Sequence, residues 1–209
     1  MKTVGCFLGF VCILAAAPVY AASDFTIFGA AQHQGKLTLQ TATSTATTIS
    51  PLDPRTFGVF GIRYGHGSVI GGEHTLAYAP NFLISGGRAL IYNSDLRVQA
   101  PLPKVTPYVT AGLGAIFTWS SNSGACSSLT QPCPLAQAIG DIGTKFAINY
   151  GGGVKIFPAG AVGVRFDIRG YTLPSVSFNL PATIANQTVK TTNQNLNFFE
   201  YGFGVVFKF

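Results

Sequence analysis

Apolar and polar residues alternate along eight segments of the 209-residue chain. Because successive side chains of a β-strand point to opposite faces, this period of two predicts strands. No stretch keeps an apolar period of about 3.6 residues, so we expect little helix. The predicted strands are Phe25–His33, Thr56–Tyr64, Ile70–Tyr78, Ala89–Gln99, Val105–Phe117, Lys145–Phe157, Ala161–Tyr171 and Asn195–Phe209.

The last predicted strand shows the alternation most strongly. Every odd position from 199 to 209 is aromatic or Val, whereas the even positions carry Glu200, Gly202, Gly204, Val206 and Lys208. One face of this strand is therefore apolar and the other is small or charged. In membrane barrels such an apolar face turns outward to lipid, so Glu200 and Lys208 are predicted to point inward.

The charged residues of the other predicted strands also lie opposite the apolar face. Arg165 and Asp167, for example, alternate with Phe166. A charge that faces lipid at mid-bilayer costs about 2–4 kcal/mol, so this separation is typical of a membrane barrel. His74 is an exception that we expect near the periplasmic rim, and the first strand is ambiguous. The predicted inward charges are Arg63, Glu73, Asp95, Arg97, Lys145, Lys155, Arg165, Asp167, Arg169 and Glu200.

The connections between the predicted strands alternate in length. The long ones are Gln34–Arg55, Ala79–Arg88, Thr118–Thr144 and Leu173–Gln194, and the short ones are Gly65–Val69, Ala100–Lys104 and Pro158–Gly160. Transmembrane barrels have short periplasmic turns and longer extracellular loops. The sequence thus predicts an all-β, eight-stranded, antiparallel up-and-down transmembrane barrel with both termini on the periplasmic side.

The N-terminal residues have the pattern of a secretory signal peptide. Lys2 precedes an apolar run from Val4 to Ala17, and small residues follow at Ala21 and Ala22. About 14 apolar residues are too few for a spanning helix, which needs about 20. We therefore predict a signal peptide over residues 1–21, with cleavage after Ala21 or alternatively after Ala22, and a barrel over residues 22–209.

Composition agrees with a barrel that faces lipid. The chain is 47% hydrophobic and 10% charged, against about 25% charged residues in typical soluble domains. The formal net charge is +6, but the basic residues are scattered rather than clustered. We therefore expect no nucleic-acid partner.

Cysteine usage predicts one disulfide. Cys6 and Cys12 would leave with the signal peptide, and Cys126 and Cys133 would remain in an exported chain. The residues between Cys126 and Cys133 include no His, Asp or Glu, so a metal site is not predicted there. We expect no metal and no cofactor.

Three segments resemble a known family. Pro107–Gly114, Tyr150–Lys155 and Val162–Tyr171 together resemble the OmpA/OmpX-like family of eight-stranded outer-membrane β-barrel domains. The resemblance implies a location in the outer membrane of a Gram-negative cell envelope and contact with outer-membrane lipids and lipopolysaccharide. It also implies handling by the secretion and barrel-assembly machinery, which would recognise the aromatic C-terminal strand with Tyr201, Phe203, Phe207 and Phe209.

Three functional hypotheses follow. An eight-stranded barrel is just wide enough for side chains to fill it, so the first is a structural and surface-presentation role, with ligands or surfaces bound by the long loops. The alternative is a narrow, porin-like gated pore, opened by a rearranged salt bridge near Glu200, Arg165 and Arg169. A lipid-modifying enzyme is the least favoured. His33, His66 and His74 lie in no recognisable nucleophile motif and G-x-S-x-G is absent, so we predict no catalytic residue and no enzyme.

Overall fold

The computed structural model describes residues 23–35, 37–42, 47–52, 56–82, 87–120, 143–176 and 194–209. Ten strands occur in this part of the chain. They are β1 (Asp24–Gln34), β2 (Leu37–Ala42), β3 (Thr47–Leu52), β4 (Thr56–His66), β5 (Ile70–Ala79), β6 (Gly87–Gln99), β7 (Val105–Ser120), β8 (Thr144–Ala159), β9 (Val162–Val176) and β10 (Gln194–Lys208).

Eight of these strands form a closed antiparallel barrel in the order β1-β10-β9-β8-β7-β6-β5-β4. The predicted eight-stranded antiparallel fold is therefore confirmed. The barrel closes where β1 pairs with β10, from Asp24 opposite Lys208 to Gln34 opposite Phe198. Following paired residues once around the barrel from Gln34 leads back to β1 at Asp24, a displacement of ten residues. This displacement is the shear that tilts the strands and sets which side chains meet inside.

Each of the eight predicted strands corresponds to one barrel strand, with small changes at the ends. The prediction that Gln34–Arg55 is only a connection was wrong, because β2 and β3 pair there as a separate two-stranded sheet. The reason is that residues 37–52 are rich in Thr, which favours strands. Their apolar alternation, as in Leu37-Thr38-Leu39-Gln40, is too short to resemble that of the membrane strands.

The short and long connections lie at opposite ends of the barrel. Residues 67–69, 100–104 and 160–161 connect the strands at one end, which also holds Asp24 and Lys208. We refer to this as the short-turn end and to the other as the long-loop end. The turn between β8 and β9 uses Gly160 at a φ of 72°, a left-handed conformation that glycine adopts without strain.

The outer wall of the barrel is apolar. Twenty large apolar side chains of the barrel strands are between 39% and 61% exposed: Ile27, Phe60, Ile62, Leu76, Leu96, Val98, Val105, Val109, Leu113, Trp119, Phe146, Ile148, Tyr150, Val162, Phe166, Ile168, Phe199, Tyr201, Phe203 and Val205. So continuous an apolar surface is typical of the lipid-facing band of a membrane barrel. Arg88, in β6, departs from this pattern, because it is a charged side chain that is exposed on the outer wall. It lies opposite Trp119 at the long-loop end.

None of the described residues forms a helix that is long and apolar enough to cross a membrane. The predicted signal peptide, both cleavage positions, Cys126 and Cys133 lie outside the described residues. The signal peptide and the disulfide therefore stay predictions.

Candidate functional site

The lumen contains a dense layer of buried charges. Among the described residues, five acidic and five basic side chains are at most 5% exposed, so the layer as a whole is electrically neutral. The acids are Asp24, Glu73, Asp95, Asp167 and Glu200, and the bases are Arg63, Arg97, Lys155, Arg165 and Arg169. Of the other predicted inward charges, Lys145 is half-buried and Lys208 is exposed at the short-turn end.

Glu73 lies at the centre of this layer. Both of its carboxylate oxygens accept hydrogen bonds from Arg165, at 2.8 and 2.9 Å. Arg97 donates a longer bond of 3.3 Å, and Arg169 also donates to Oε1. Three arginines from two other strands therefore converge on one carboxylate of β5. Such charge-assisted, two-point contacts are the strong class of hydrogen bond.

Asp167 connects a second group of pairs on the opposite side of the lumen. Its carboxylate accepts hydrogen bonds from Arg63 at 2.6 Å, from Arg169 Nε at 3.1 Å and from Arg165 Nε at 3.3 Å. Arg169 also donates to Asp95 Oδ2 at 2.7 Å. The guanidinium of Arg169 thus joins the Asp167 and Glu73 groups, and the pairs form one network rather than isolated bridges.

Glu200 does not pair with the arginines that the pore hypothesis named. Its carboxylate accepts hydrogen bonds from Arg63 at 2.6 Å and from Gln32 at 3.0 Å. Arg165 and Arg169 bind Glu73 instead. Glu200 lies opposite Arg169 in the strand register, but the barrel curves and each side chain reaches across the lumen. The salt bridge of Glu200 that the pore alternative would have to rearrange is therefore the one to Arg63.

Small and aromatic residues make room for the arginines. An added Cβ at Gly65 would collide with the guanidinium of Arg97. Arg63 lies 3.7 Å from the centroid of the Phe28 ring, and Arg165 lies 4.6 Å from that of Tyr108. These ring faces give the buried cations favourable contacts besides their salt bridges.

An apolar layer lies next to the charges, toward the long-loop end. Phe82, from the connection after β5, contacts Phe198 edge-on with ring centroids 5.8 Å apart, and Phe198 stacks on Tyr171 at 4.7 Å. Asn93 donates to the Tyr171 hydroxyl at 3.2 Å, which links the two layers. The largest members of the apolar layer, each at most 2% exposed, are Phe82, Ile91, Ile116, Tyr171, Leu173, Leu196 and Phe198.

Two network members, Asp24 and Gln32, were missing from the sequence-based prediction. Asp24 precedes the first predicted strand by one residue, and the faces of that strand were ambiguous. The ambiguity arose because Phe28 points into the lumen, where it lies beneath Arg63. The signal that could have identified the inner face is the row of polar even positions at Asp24, Thr26 and Gln32.

The three histidines are divided between the two ends of the barrel. His33, at the long-loop end, shares a hydrogen bond of 3.1 Å with the Thr56 hydroxyl. His66 and His74 stack near the short-turn end with ring centroids 6.1 Å apart, and His74 shares a bond of 3.2 Å with the Tyr92 hydroxyl. No His, Cys, Asp and Glu cluster suited to a metal occurs in the described ranges.

Comparison with known proteins identifies the barrel type. The family model for the outer membrane protein beta-barrel domain matches residues 8–209. No curated protein matches the chain. The solved structure of OprG from Pseudomonas aeruginosa is 14% identical, with a TM-score of 0.53 and coverage of 90% of this chain and 96% of that one. Neisserial surface protein A is 16% identical, with a TM-score of 0.52 and coverage of 88% and 97%. At these identities the likeness is evidence of the fold alone.

Proposed function

The chain belongs to the outer membrane protein beta-barrel domain family, and we propose that it is a closed structural barrel that presents its long connections at the cell surface. The family and the similar structures indicate the bacterial outer membrane. In this proposal the short-turn end faces the periplasm, because that is the usual orientation of such barrels.

The observation that carries the proposal is the filled lumen. The neutral network crosses the barrel interior at one level, and the apolar layer fills it at the next. A continuous aqueous path would require both layers to separate. Leaving one member of a buried ion pair without its partner costs about 3–5 kcal/mol, so a spontaneously open lumen would be rare.

The outer wall supports the lipid contacts of the proposal. Outward aromatic pairs contribute to this surface: Tyr78 stacks on Trp119 toward the long-loop end, with ring centroids 6.0 Å apart, and His74 stacks on Tyr92 nearer the middle of the strands, at 6.3 Å. Aromatic residues favour the two interfaces of a membrane. Arg88, opposite Trp119, would lie among the lipopolysaccharide phosphates of the outer leaflet. Ligand binding by the long loops and recognition of β10 by the assembly machinery are further parts of the proposal.

Conductance in planar lipid bilayers tests the closed barrel against the pore alternative. We expect the wild-type chain, inserted and shown to be folded by heat-modifiable migration in gels, to give silent bilayers. The Glu200→Gln variant weakens the bond to Arg63 but leaves the apolar layer intact, so it should also be silent. Steady, ion-selective openings of the wild-type protein that change in this variant would refute the closed barrel and establish a pore.

The proposal also assigns no catalytic activity. In the described part of the chain, His33 and His74 share hydrogen bonds with the Thr56 and Tyr92 hydroxyls rather than with a serine. A serine paired with a histidine is one common way in which a hydrolase activates its nucleophile. Incubation of the folded protein with lipid A and phospholipids, followed by mass spectrometry, provides the test. Any protein-dependent change in lipid mass would contradict the assignment.

A further inference from the structure

Three hydrogen-bond donors lie together on the outer wall at the long-loop end. Tyr78, Arg88 and Trp119 each occupy the second position from that end of β5, β6 and β7. Arg88 is paired with Trp119 in the strand register, and the Tyr78 ring stacks on the Trp119 ring with centroids 6.0 Å apart. We refer to these three residues as the rim patch.

The rim patch offers donors but no acidic group. The guanidinium of Arg88 carries five N–H groups, the indole of Trp119 one N–H and the phenol of Tyr78 one O–H. None of these groups makes a hydrogen bond or an ion pair with another of the described residues. All five carboxylates in the described ranges are buried in the lumen, so none of them neutralises Arg88 on the outer wall.

The rim patch also marks the border of the apolar wall. Phe60, in register with Tyr78, and Leu76 belong to that wall on one side. On the other side the strands end one residue beyond the patch. Indole and phenol rings favour the level of the lipid headgroups, and a cation on the lipid face is tolerated there but costly at mid-bilayer. Arg88 therefore lies where it meets headgroups rather than acyl chains.

We propose that the rim patch binds a phosphate group of lipid A, the membrane anchor of lipopolysaccharide. Two N–H groups of Arg88 donate to two phosphate oxygens, which the planar guanidinium matches in geometry, and the indole N–H of Trp119 donates a third bond. A phosphomonoester carries about 1.5–2 negative charges at neutral pH, so donors without acceptors favour it over the phosphodiester of ordinary phospholipids. The site rests on the proposed orientation, in which the long-loop end lies in the outer leaflet.

Titration of the folded chain with lipid A in non-ionic detergent micelles tests the site. Trp119 is the chain's one tryptophan, so its fluorescence reports occupancy locally, and native mass spectrometry counts the bound lipid. We expect a saturable fluorescence change with lipid A. Lipid A from which the phosphates have been removed should bind at least about fivefold more weakly, the factor that one basic residue contributes at an anionic membrane surface.

Variants of the rim patch separate charge from geometry. Arg88→Gln should weaken lipid A binding by at least about fivefold, and Arg88→Lys, which keeps the charge but not the two-point contact, should lie between Arg88→Gln and the wild type. Trp119→Phe, followed by mass spectrometry, should lose about two- to tenfold, the contribution of one hydrogen bond. Lys104→Gln is the matched control, because Lys104 is an exposed cation in the turn between β6 and β7 at the opposite end. It should leave the titration at Trp119 unchanged.

Three results would overturn the proposal. The first is equal affinity for lipid A and its dephosphorylated form, or for lipid A and phosphatidylglycerol, because a phosphomonoester would then not be selected. The second is an equal loss in Arg88→Gln and Lys104→Gln, and the third is the absence of bound lipid A in the mass spectra of the wild-type chain. Micelles have no sidedness, so the titration depends neither on the orientation of the barrel in the cell nor on conduction through the lumen. Its failure is therefore distinguishable from a failure of the closed-barrel proposal.

Discussion

Removal of the Glu73 carboxylate charge is the most direct test of how the lumen is held together. Glu73→Gln keeps the shape of the side chain and creates no cavity, but it gives the buried layer a net charge of +1. Arg165, whose guanidinium makes two bonds to Glu73 and is 0% exposed, loses its main counter-charge. Breaking a buried pair in this way costs about 3–5 kcal/mol. We expect the free energy of unfolding to fall by that amount.

Reversible urea unfolding from lipid vesicles measures this change. Trp119 is the chain's one tryptophan, and it stacks on Tyr78 on the outer wall, so its fluorescence reports transfer out of the membrane. Thr110→Val is the matched control, because its buried hydroxyl makes no hydrogen bond to the described residues. That variant should change the free energy of unfolding by less than about 1 kcal/mol.

A double variant separates charge balance from other effects of the substitution. Glu73→Gln combined with Arg165→Met restores equal numbers of buried positive and negative side chains. We expect it to be more stable than the sum of the single variants implies, by up to about 3 kcal/mol. A loss in Glu73→Gln no larger than that in Thr110→Val, or strict additivity in the double variant, would refute the conclusion that paired charges stabilise the lumen.

Two further substitutions test the inner and outer faces of the wall. Gly65→Ala places a methyl group against the Arg97 guanidinium, which would have to shift away from Asp24 and Glu73, so we expect a loss of about 1–3 kcal/mol in the same unfolding assay. Gly58→Ala, with no atom within 4 Å of the added Cβ, should be neutral, and equal losses would contradict the steric argument. Phe166→Arg puts a charge on the lipid face and should lower the free energy of unfolding by about 2–4 kcal/mol. Its control, Val69→Arg, lies in a turn and should lower it by less than about 1 kcal/mol. The opposite ranking would argue against the lipid-facing assignment.

The inner and outer faces of most strands could be predicted from the sequence because they depend on a local property. In β9, alternate residues lie on opposite faces whatever the neighbouring strand is, so Arg165 and Asp167 had to share a side. The prediction failed where the local pattern was weak. Phe28 obscured the inner face of β1, and the Thr-rich strands β2 and β3 are only six residues long each, too short for their alternation to stand out in the sequence.

Ion-pair partners could not be predicted in the same way, because they depend on the shear and curvature of the closed barrel. Glu73 and Arg165 are 92 residues apart in sequence yet share two hydrogen bonds. Glu200 lies beside Arg169 in register but pairs with Arg63. A strand register fixes neighbours along the wall, whereas long side chains also reach residues on other strands.

By itself, the sequence determined that the chain forms a membrane barrel and which face of most strands carries the inward charges, because alternation along a strand is set by backbone geometry alone. Asp24, just before the first predicted strand, was not among them. Only the tertiary structure decided that these charges form one neutral network, that an apolar layer lies next to it, and that Tyr78, Arg88 and Trp119 meet on the outer wall. The physical reason is closure. Bringing β1 against β10 with a displacement of ten residues brings together side chains from distant strands, and no local pattern encodes that displacement.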